Sequence, residues 1–281
     1  LFPNLFPEDA SMKAKALLLS VAISVAISAC ATTTSPTGRQ QVVGAVSEAQ
    51  LADLGTQAFA EAKAKTPQSR DSRQTTYVRC VVTSIVRQLS PEWQRLDWEV
   101  ALFENPETNA WALPGGKVGV YTGIFKVARN QDQLAAVIAH EIGHVVSHHH
   151  NERITRQMNT QTGLGIIGAL LGSRYGEGVG NTVQQVGGAA AQGLFLLPNS
   201  RVQESEADVV GQQLMAKAGY DPEGAVTLWQ NMAAAGGSRP PEWLSTHPDP
   251  SSRLRELKQR ADGLRPVMQA ARAAGNTPHC Q

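Results

Sequence analysis

Residues 140–144 read His-Glu-Ile-Gly-His. The pattern His-Glu-x-x-His constrains this chain more than any other feature, because its chemistry requires a helix. Residues four apart share a helical face, about 6 Å apart along the axis. The imidazoles of His140 and His144 can therefore aim at one Zn²⁺. Glu141, the next residue round the helix, can reach a water at that metal and act as its general base. The flanks agree with a helix. Asn130 or Asp132 can cap its start, and Leu134, Val137, Ile138 and Val145 form an apolar stripe.

A hydrolytic zinc site takes three protein ligands and keeps one position open for water. Two residues compete for the third place. His150 has the spacing of a longer His-Glu-x-x-His-x-x-Gly-x-x-His pattern, but Ser147 stands where that pattern needs a turning glycine. A continuing helix would carry His150 away. Glu204 lies in Glu204-Ser205-Glu206-Ala207-Asp208, where helical spacing puts Glu204 and Asp208 on one face. Glu204 can then bind the metal while Asp208 hydrogen-bonds a ligand histidine from behind. Small Ala207 would let this helix lie close to the first. Glu204 is the expected third ligand, and His148, His149 and His150 are expected behind the ligands or on the surface, not among them.

With 281 residues, 42% apolar and 17% charged, the chain has ample material for a globular core. A net charge of +1 and the absence of a long basic run exclude a nucleic-acid partner. From Met12 the chain resembles a secretion signal, with Lys13 and Lys15 ahead of an apolar run from Ala16 to Ile27. That run is too short for a comfortable membrane span. Ile27-Ser28-Ala29-Cys30 resembles the lipobox of bacterial lipoproteins, which implies cleavage before Cys30 and its acylation. Ala31 lacks the aspartate that often retains such proteins at the inner membrane, so the expected location is the periplasm, lipid-anchored to the outer membrane. Residues 1–29 thus read as an extension plus signal peptide, 30–46 as a tether, and 47–281 as the working domain. Cys80 and Cys280 remain, an even pair in an oxidising compartment, and are expected to form a disulfide worth roughly 4–5 kcal/mol in the chain-entropy model.

Two amphipathic helices are expected, from Ser47 to about Lys65 and from about Ser72 to Leu89. Strands follow at Trp98–Phe103, Asn109–Leu113 and Lys117–Tyr121, read as a small antiparallel sheet just before the metal helix. An extended substrate could add to an exposed edge of that sheet; equally, the strands could be a plain meander. Residues 163–197 are crowded with glycine and alanine, which suits a mobile hairpin or lid as well as a loose connection. Helices are expected over Ser200–Lys217 and Pro222–Ala235. Asp249 and Pro250 offer a cap for a closing helix. Arg201 and Arg253 could provide charge near the site or simply pair with carboxylates.

Taken together, HEIGH (140–144), NAWALPGG (109–116), SRVQESEAD (200–208), AGYDP (218–222) and THPDPSSR (246–253) resemble the HtpX-like and CAAX-prenyl-protease-like zinc metallopeptidases, metallopeptidase family forty-eight. The resemblance implies an α+β, mostly α fold with a zincin-like core, one Zn²⁺ on His140, His144 and Glu204, Glu141 as base, and Asp208 behind a ligand. It also implies a cleft wall from Asn109, Ala110, Trp111, Ala112 and Leu113. No transmembrane helices flank the motif, so the chain looks like the lipoprotein-bearing branch, which implies cleavage of misfolded or misassembled envelope proteins. A non-cleaving envelope chaperone is the alternative, and the intact Glu141 argues against it. His247, between constraining prolines, is expected to face the zinc, either donating to an oxyanion or occupying the fourth position.

Overall fold

In the computed structural model, residues 31–158, 195, 198–235, 247 and 253–281 are described. The chain forms strands β1 (Ala31–Thr34) and β2 (Gln40–Val43), then helices α1 (Glu48–Lys65) and α2 (Ser72–Val86). Strands β3 (Glu99–Phe103), β4 (Ala110–Leu113) and β5 (Lys117–Tyr121) follow. Helices α3 (Gln131–Val146), α4 (His149–Met158), α5 (Arg201–Lys217), α6 (Glu223–Ala235) and α7 (Arg253–Ala273) complete a mostly helical α+β architecture.

Helix α3 carries the His-Glu-x-x-His residues and is the centre of the packing. Asn130 caps it, its side chain accepting from the Gln133 amide at 2.9 Å. Every residue from Gln133 to Val146 is buried. A helix covered on all sides needs partners on all sides. They are α2, β4, α5 and α6. The face of α2 that meets this core is Val78, Val81, Val82 and Ile85.

The sheet order is β3-β5-β4, and it is mixed where the sequence suggested antiparallel pairing throughout. β4 and β5 are antiparallel, but β3 and β5 are parallel. The strand order gives this, because β5 lies between β3 and β4 and the tight turn fixes only its antiparallel pairing with β4. Gly115 and Gly116 have φ of +82° and +76°, a region L-residues seldom adopt, and they reverse the chain tightly after Pro114. β5 is returned into the slot between β3 and β4, running alongside β3. β4 is left as an edge strand next to α3.

The stretch expected to be a tether is a hairpin instead. β1 and β2 pair antiparallel from Ala31↔Val43 to Thr34↔Gln40, and the hairpin lies against α4. Its apolar content is slight. Polar contacts hold it: Gln41 donates to the Ser147 carbonyl at 2.7 Å, and Asn151 bridges the Gly44 amide and the Val46 carbonyl at 3.0 Å each. Arg39 pairs with Glu152 and Glu206.

Signal, lipobox and Cys30 lie outside the described residues, as do 163–197 apart from Phe195, and the Asp249-Pro250 cap. Among the described residues no helix is long and apolar enough to cross a membrane.

Cys80 on α2 and Cys280 in the tail form a disulfide, with Cα atoms 5.6 Å apart across 200 residues of sequence. The tail is also pinned to the start of α3, where the Gln131 side chain bonds the Pro278 carbonyl and the Cys280 amide at 3.0 Å each. Cys280→Ser should cost about 2–5 kcal/mol of unfolding free energy. Urea unfolding of wild type and variant, with and without reductant, measures this; identical midpoints in all four samples would show that the bond contributes nothing.

Candidate metal centre

The site is built by two helices whose backbones nearly touch. A Cβ added to Gly143 on α3 would come within 3.0 Å of the Ala207 carbonyl oxygen on α5. One added to Gly211 on α5 would come within 3.0 Å of the His140 amide nitrogen. Hydrogen at these two positions, and the small Ala207 between them, allow the approach. Glu204 and Asp208, one turn apart on α5, are thereby delivered to the histidines of α3.

His140, His144, Glu204 and His247 converge with all four ligand atoms within 4.8 Å of one another, and all four residues are buried. His140 Nε2 lies 3.1 Å from His144 Nε2 and 3.2 Å from His247 Nδ1. Glu204 oxygens stand 3.4 Å from each of His140 Nε2 and His144 Nε2, and 3.0 Å from His247 Nδ1. Zinc held tetrahedrally by nitrogen and oxygen at about 2.0–2.1 Å places neighbouring donors about 3.3–3.4 Å apart. The donor set therefore fits zinc in type and in spacing. Glu141 is beside it, with Oε1 3.4 Å from His247 Nε2.

Charge supports the same conclusion. Burial works against the Glu204 carboxylate, but facing imidazoles, His247 foremost, hold it well below the usual range, so it is an anion. Burial pushes His144 well below its ordinary value and leaves a neutral ring with a lone pair to offer. Burial also disfavours charge on His140, yet its bonds to Asp208 and Glu204 outweigh that and raise it to about 9. Buried carboxylates thus demand positive charge at this spot. Arg253 answers part of the demand, with nitrogens 3.0 Å from Glu204 Oε2 and 2.7 Å from Asp208 Oδ1 and its guanidinium 4.0 Å above the Trp229 ring.

Each α3 histidine is held from behind. His140 Nδ1 bonds Asp208 Oδ1 at 3.0 Å. His144 Nδ1 meets His149 Nδ1 at 2.7 Å, and His149 Nε2 meets Glu206 Oε2 at 3.1 Å. The helix does not carry on to His150 as expected: it ends at Val146 with Ser147 as its cap, and His148 takes a left-handed φ of 53° before α4 starts. His150 is nonetheless apart from the donor group, its ring 5.3 Å from that of Phe195. Arg201 is exposed. Of the cleft residues, Asn109 precedes the edge strand β4, in which Ala110, Ala112 and Leu113 are buried and Trp111 is half-buried.

Asn199 and Arg153 were not visible in the motif. Asn199 Nδ2 lies 3.3 Å from His247 Nδ1, and its Oδ1 accepts from buried Arg153. Neither has a spacing relation to His-Glu-x-x-His that could have marked it. Glu206 could have been noted, since it alternates with Glu204 and Asp208 on one helix.

The carboxylates make the site acid-sensitive. Burial raises the Glu206 carboxyl, but His149, Ser35, Thr37 and Arg39 outweigh it and hold the group far below the ordinary 4.5. A depressed folded value means stability that is present above the unfolded value and lost as pH falls. Unfolding free energy should therefore decline below about pH 4.5, and Glu206→Gln should flatten that decline while lowering stability at pH 7. Chemical denaturation from pH 3 to 7 tests it; equal slopes in both proteins would refute it.

Comparison with known proteins places this geometry. The family model for "Peptidase family M48" matches residues 72–261. Mitochondrial metalloendopeptidase OMA1 of Schizosaccharomyces pombe is 38% identical over 168 residues, covering 58% of this chain and 47% of that protein. The beta-barrel assembly-enhancing protease of Escherichia coli is 34% identical over 177 residues, covering 59% of this chain and 35% of that protein. OMA1 of Bos taurus is 31% identical over 208 residues, 72% of this chain and 39% of its own length. The match spans less than half of each of these relatives. With the family model covering residues 72–261, including the buried histidines of α3 and the glutamate of α5, the chain belongs to peptidase family M48.

Proposed function

We propose that this chain is a zinc-dependent endopeptidase of the bacterial cell envelope that cleaves misfolded or misassembled envelope proteins. The observation that carries the reading is the buried donor group with Glu141 beside it, inside a family of peptidases. His140, His144 and Glu204 hold the metal, and Asp208 fixes the ring of His140 from behind. Bound there, zinc would supply a Lewis acid that polarises the peptide carbonyl and makes water acidic near neutrality. Glu141 takes the proton of the attacking water and passes it to the leaving amine. The edge strand β4, entered from Asn109, lies against α3, and among the described residues no further strand pairs with its outer edge, along which an extended substrate can add.

The envelope assignment draws on two observations. A beta-barrel assembly-enhancing protease is among the relatives, and the Cys80–Cys280 bond suits an oxidising compartment. Attachment through an acylated Cys30 would follow from the lipobox resemblance. With Ala31 already paired to Val43, such an anchor would hold the domain close to the membrane.

His247 supplies a nitrogen within the donor group itself, which favours the fourth position and a latent enzyme over a role confined to the oxyanion. His247→Ala should keep its zinc and cleave an unfolded protein several-fold faster; a slower rate would assign it to oxyanion stabilisation.

Incubating unfolded casein with wild type and Glu141→Gln tests the activity. The variant should lose roughly 10²–10⁴-fold in rate with normal zinc content. Binding without cleavage by either protein would favour the chaperone. Glu204→Ala should lose zinc and His150→Ala should retain it; the reverse would overturn the ligand assignment.

A further inference from the structure

We infer that His149, Glu206 and Arg39 are positioning residues for His144, so that the N-terminal hairpin forms part of the support of the metal centre. The inference rests on His144 being a ligand, as proposed above.

The direction of every bond in this chain of groups follows from one requirement. His144 must present the Nε2 lone pair to the metal, so its proton sits on Nδ1 and is donated to His149 Nδ1, 2.7 Å away. His149 then carries its own proton on Nε2, which it donates to Glu206 Oε2 at 3.1 Å. Glu206 can only accept. It does so from Arg39 Nε at 2.8 Å and from the Thr37 hydroxyl, both on the loop between β1 and β2. Arg39 spends its remaining nitrogens on Glu152 at 2.7 and 2.8 Å. Glu152 in turn accepts at 2.8 Å from Gln203, the neighbour of Glu204. Both nitrogens of His149 are matched, and its side chain is wholly buried. Reversing any one bond would turn a lone pair onto a lone pair.

The backbone is bent to make this contact. In a continuous helix, residue 149 would point about 140° away from residue 144. The left-handed turn at His148, held by Glu48 at 3.1 Å and by the Trp93 ring at 5.3 Å, returns His149 to the back of His144. A non-glycine residue seldom adopts that conformation. His140 has a shorter version of the same arrangement, an imidazole backed by Asp208 and Arg253. For His144 the carboxylate and arginine lie one imidazole further out, and the arginine comes from 105 residues upstream, counted from Arg39 to His144.

The test uses the full chain, with zinc dissociation constants from chelator competition and the visible spectrum of the Co²⁺-loaded protein. His149→Phe should weaken zinc about 10–100-fold and shift the Co²⁺ bands. Arg39→Ala should act in the same direction with a smaller change, and it carries the test should His149→Phe fail to fold. Ile85→Ala, a truncation in the apolar core that α2 shares with α3 but outside this chain of bonded groups, should lower stability and keep the wild-type zinc constant. Wild-type zinc affinity and spectrum in both His149→Phe and Arg39→Ala would overturn the inference. So would an equal loss of affinity in Ile85→Ala, since the effect would then be stability alone. Failure of the wild type itself to bind zinc would instead overturn the metal reading beneath it.

Discussion

The near-contact of α3 and α5 is the constraint from which the rest of the centre follows. Gly143, Ala207 and Gly211 leave no room for larger side chains between the backbones. What is gained is reach: a glutamate and an aspartate are short side chains, and only at this separation can they meet imidazoles on the facing helix. The cost is a set of buried charges, each of which would be destabilising alone. Arg253 is therefore as much a part of the arrangement as the ligands. It is itself wholly enclosed, stacked on Trp229 of α6 and bonded to Glu204 and Asp208 of α5. Helices α3, α5, α6 and α7 are locked in register by charge as well as by apolar packing.

What the sequence made legible was whatever depends on short-range periodicity. His140, Glu141 and His144 follow from one helical turn, and Glu204 with Asp208 from another. The alternation at Lys117–Tyr121 coincides with β5, and the helix starts at Glu48, Ser72 and Arg201 lie within one residue of those the sequence pattern marks. The misses have a common cause. The hairpin of β1 and β2 carries little apolar pattern and looks like a tether, because Arg39 finds its partners at Glu152 and Glu206, 113 and 167 residues away. The parallel pairing of β3 with β5 depends on the strand order, which alternation of side chains does not encode. The break at His148 carries no signal in the sequence, because histidine enters the left-handed region far less often than the glycine that usually marks a helix end.

Those misses bear on one another. A tether would leave α4 and the start of α5 facing solvent, with Glu152 and Glu206 as ordinary surface carboxylates. As a hairpin, the same residues bury them and supply the guanidinium they need. Glu206 sits midway between Glu204 and Asp208 on α5, and its side chain leaves the helix on a different side. One helix thus sends three carboxylates to three tasks: one toward the donor group, one behind His140 and one behind His149. Position along the helix, not residue type, distinguishes them.

The opposite side of α3 is organised by rings instead of charges. Trp111 of β4 lies flat on β5 because Gly119 has no side chain; a Cβ there would come 2.2 Å from the indole. Phe103 stacks at 5.9 Å and Phe59 of α1 meets the indole edge-on at 5.8 Å. Trp111 thus braces the edge strand from the sheet face, while Ala110, Ala112 and Leu113 are buried within the protein. In the proposed reaction this bracing matters for rate. A peptide paired along β4 inherits the position of that strand, and a misplacement of about 1 Å at the reacting carbonyl can cost on the order of 10²-fold. The donor group is fixed by buried charge and the strand by packed aromatic rings, and α3 touches both. Both the ligands and the edge along which a substrate would lie are therefore referred to the same helix, which is why that helix is the one most completely enclosed.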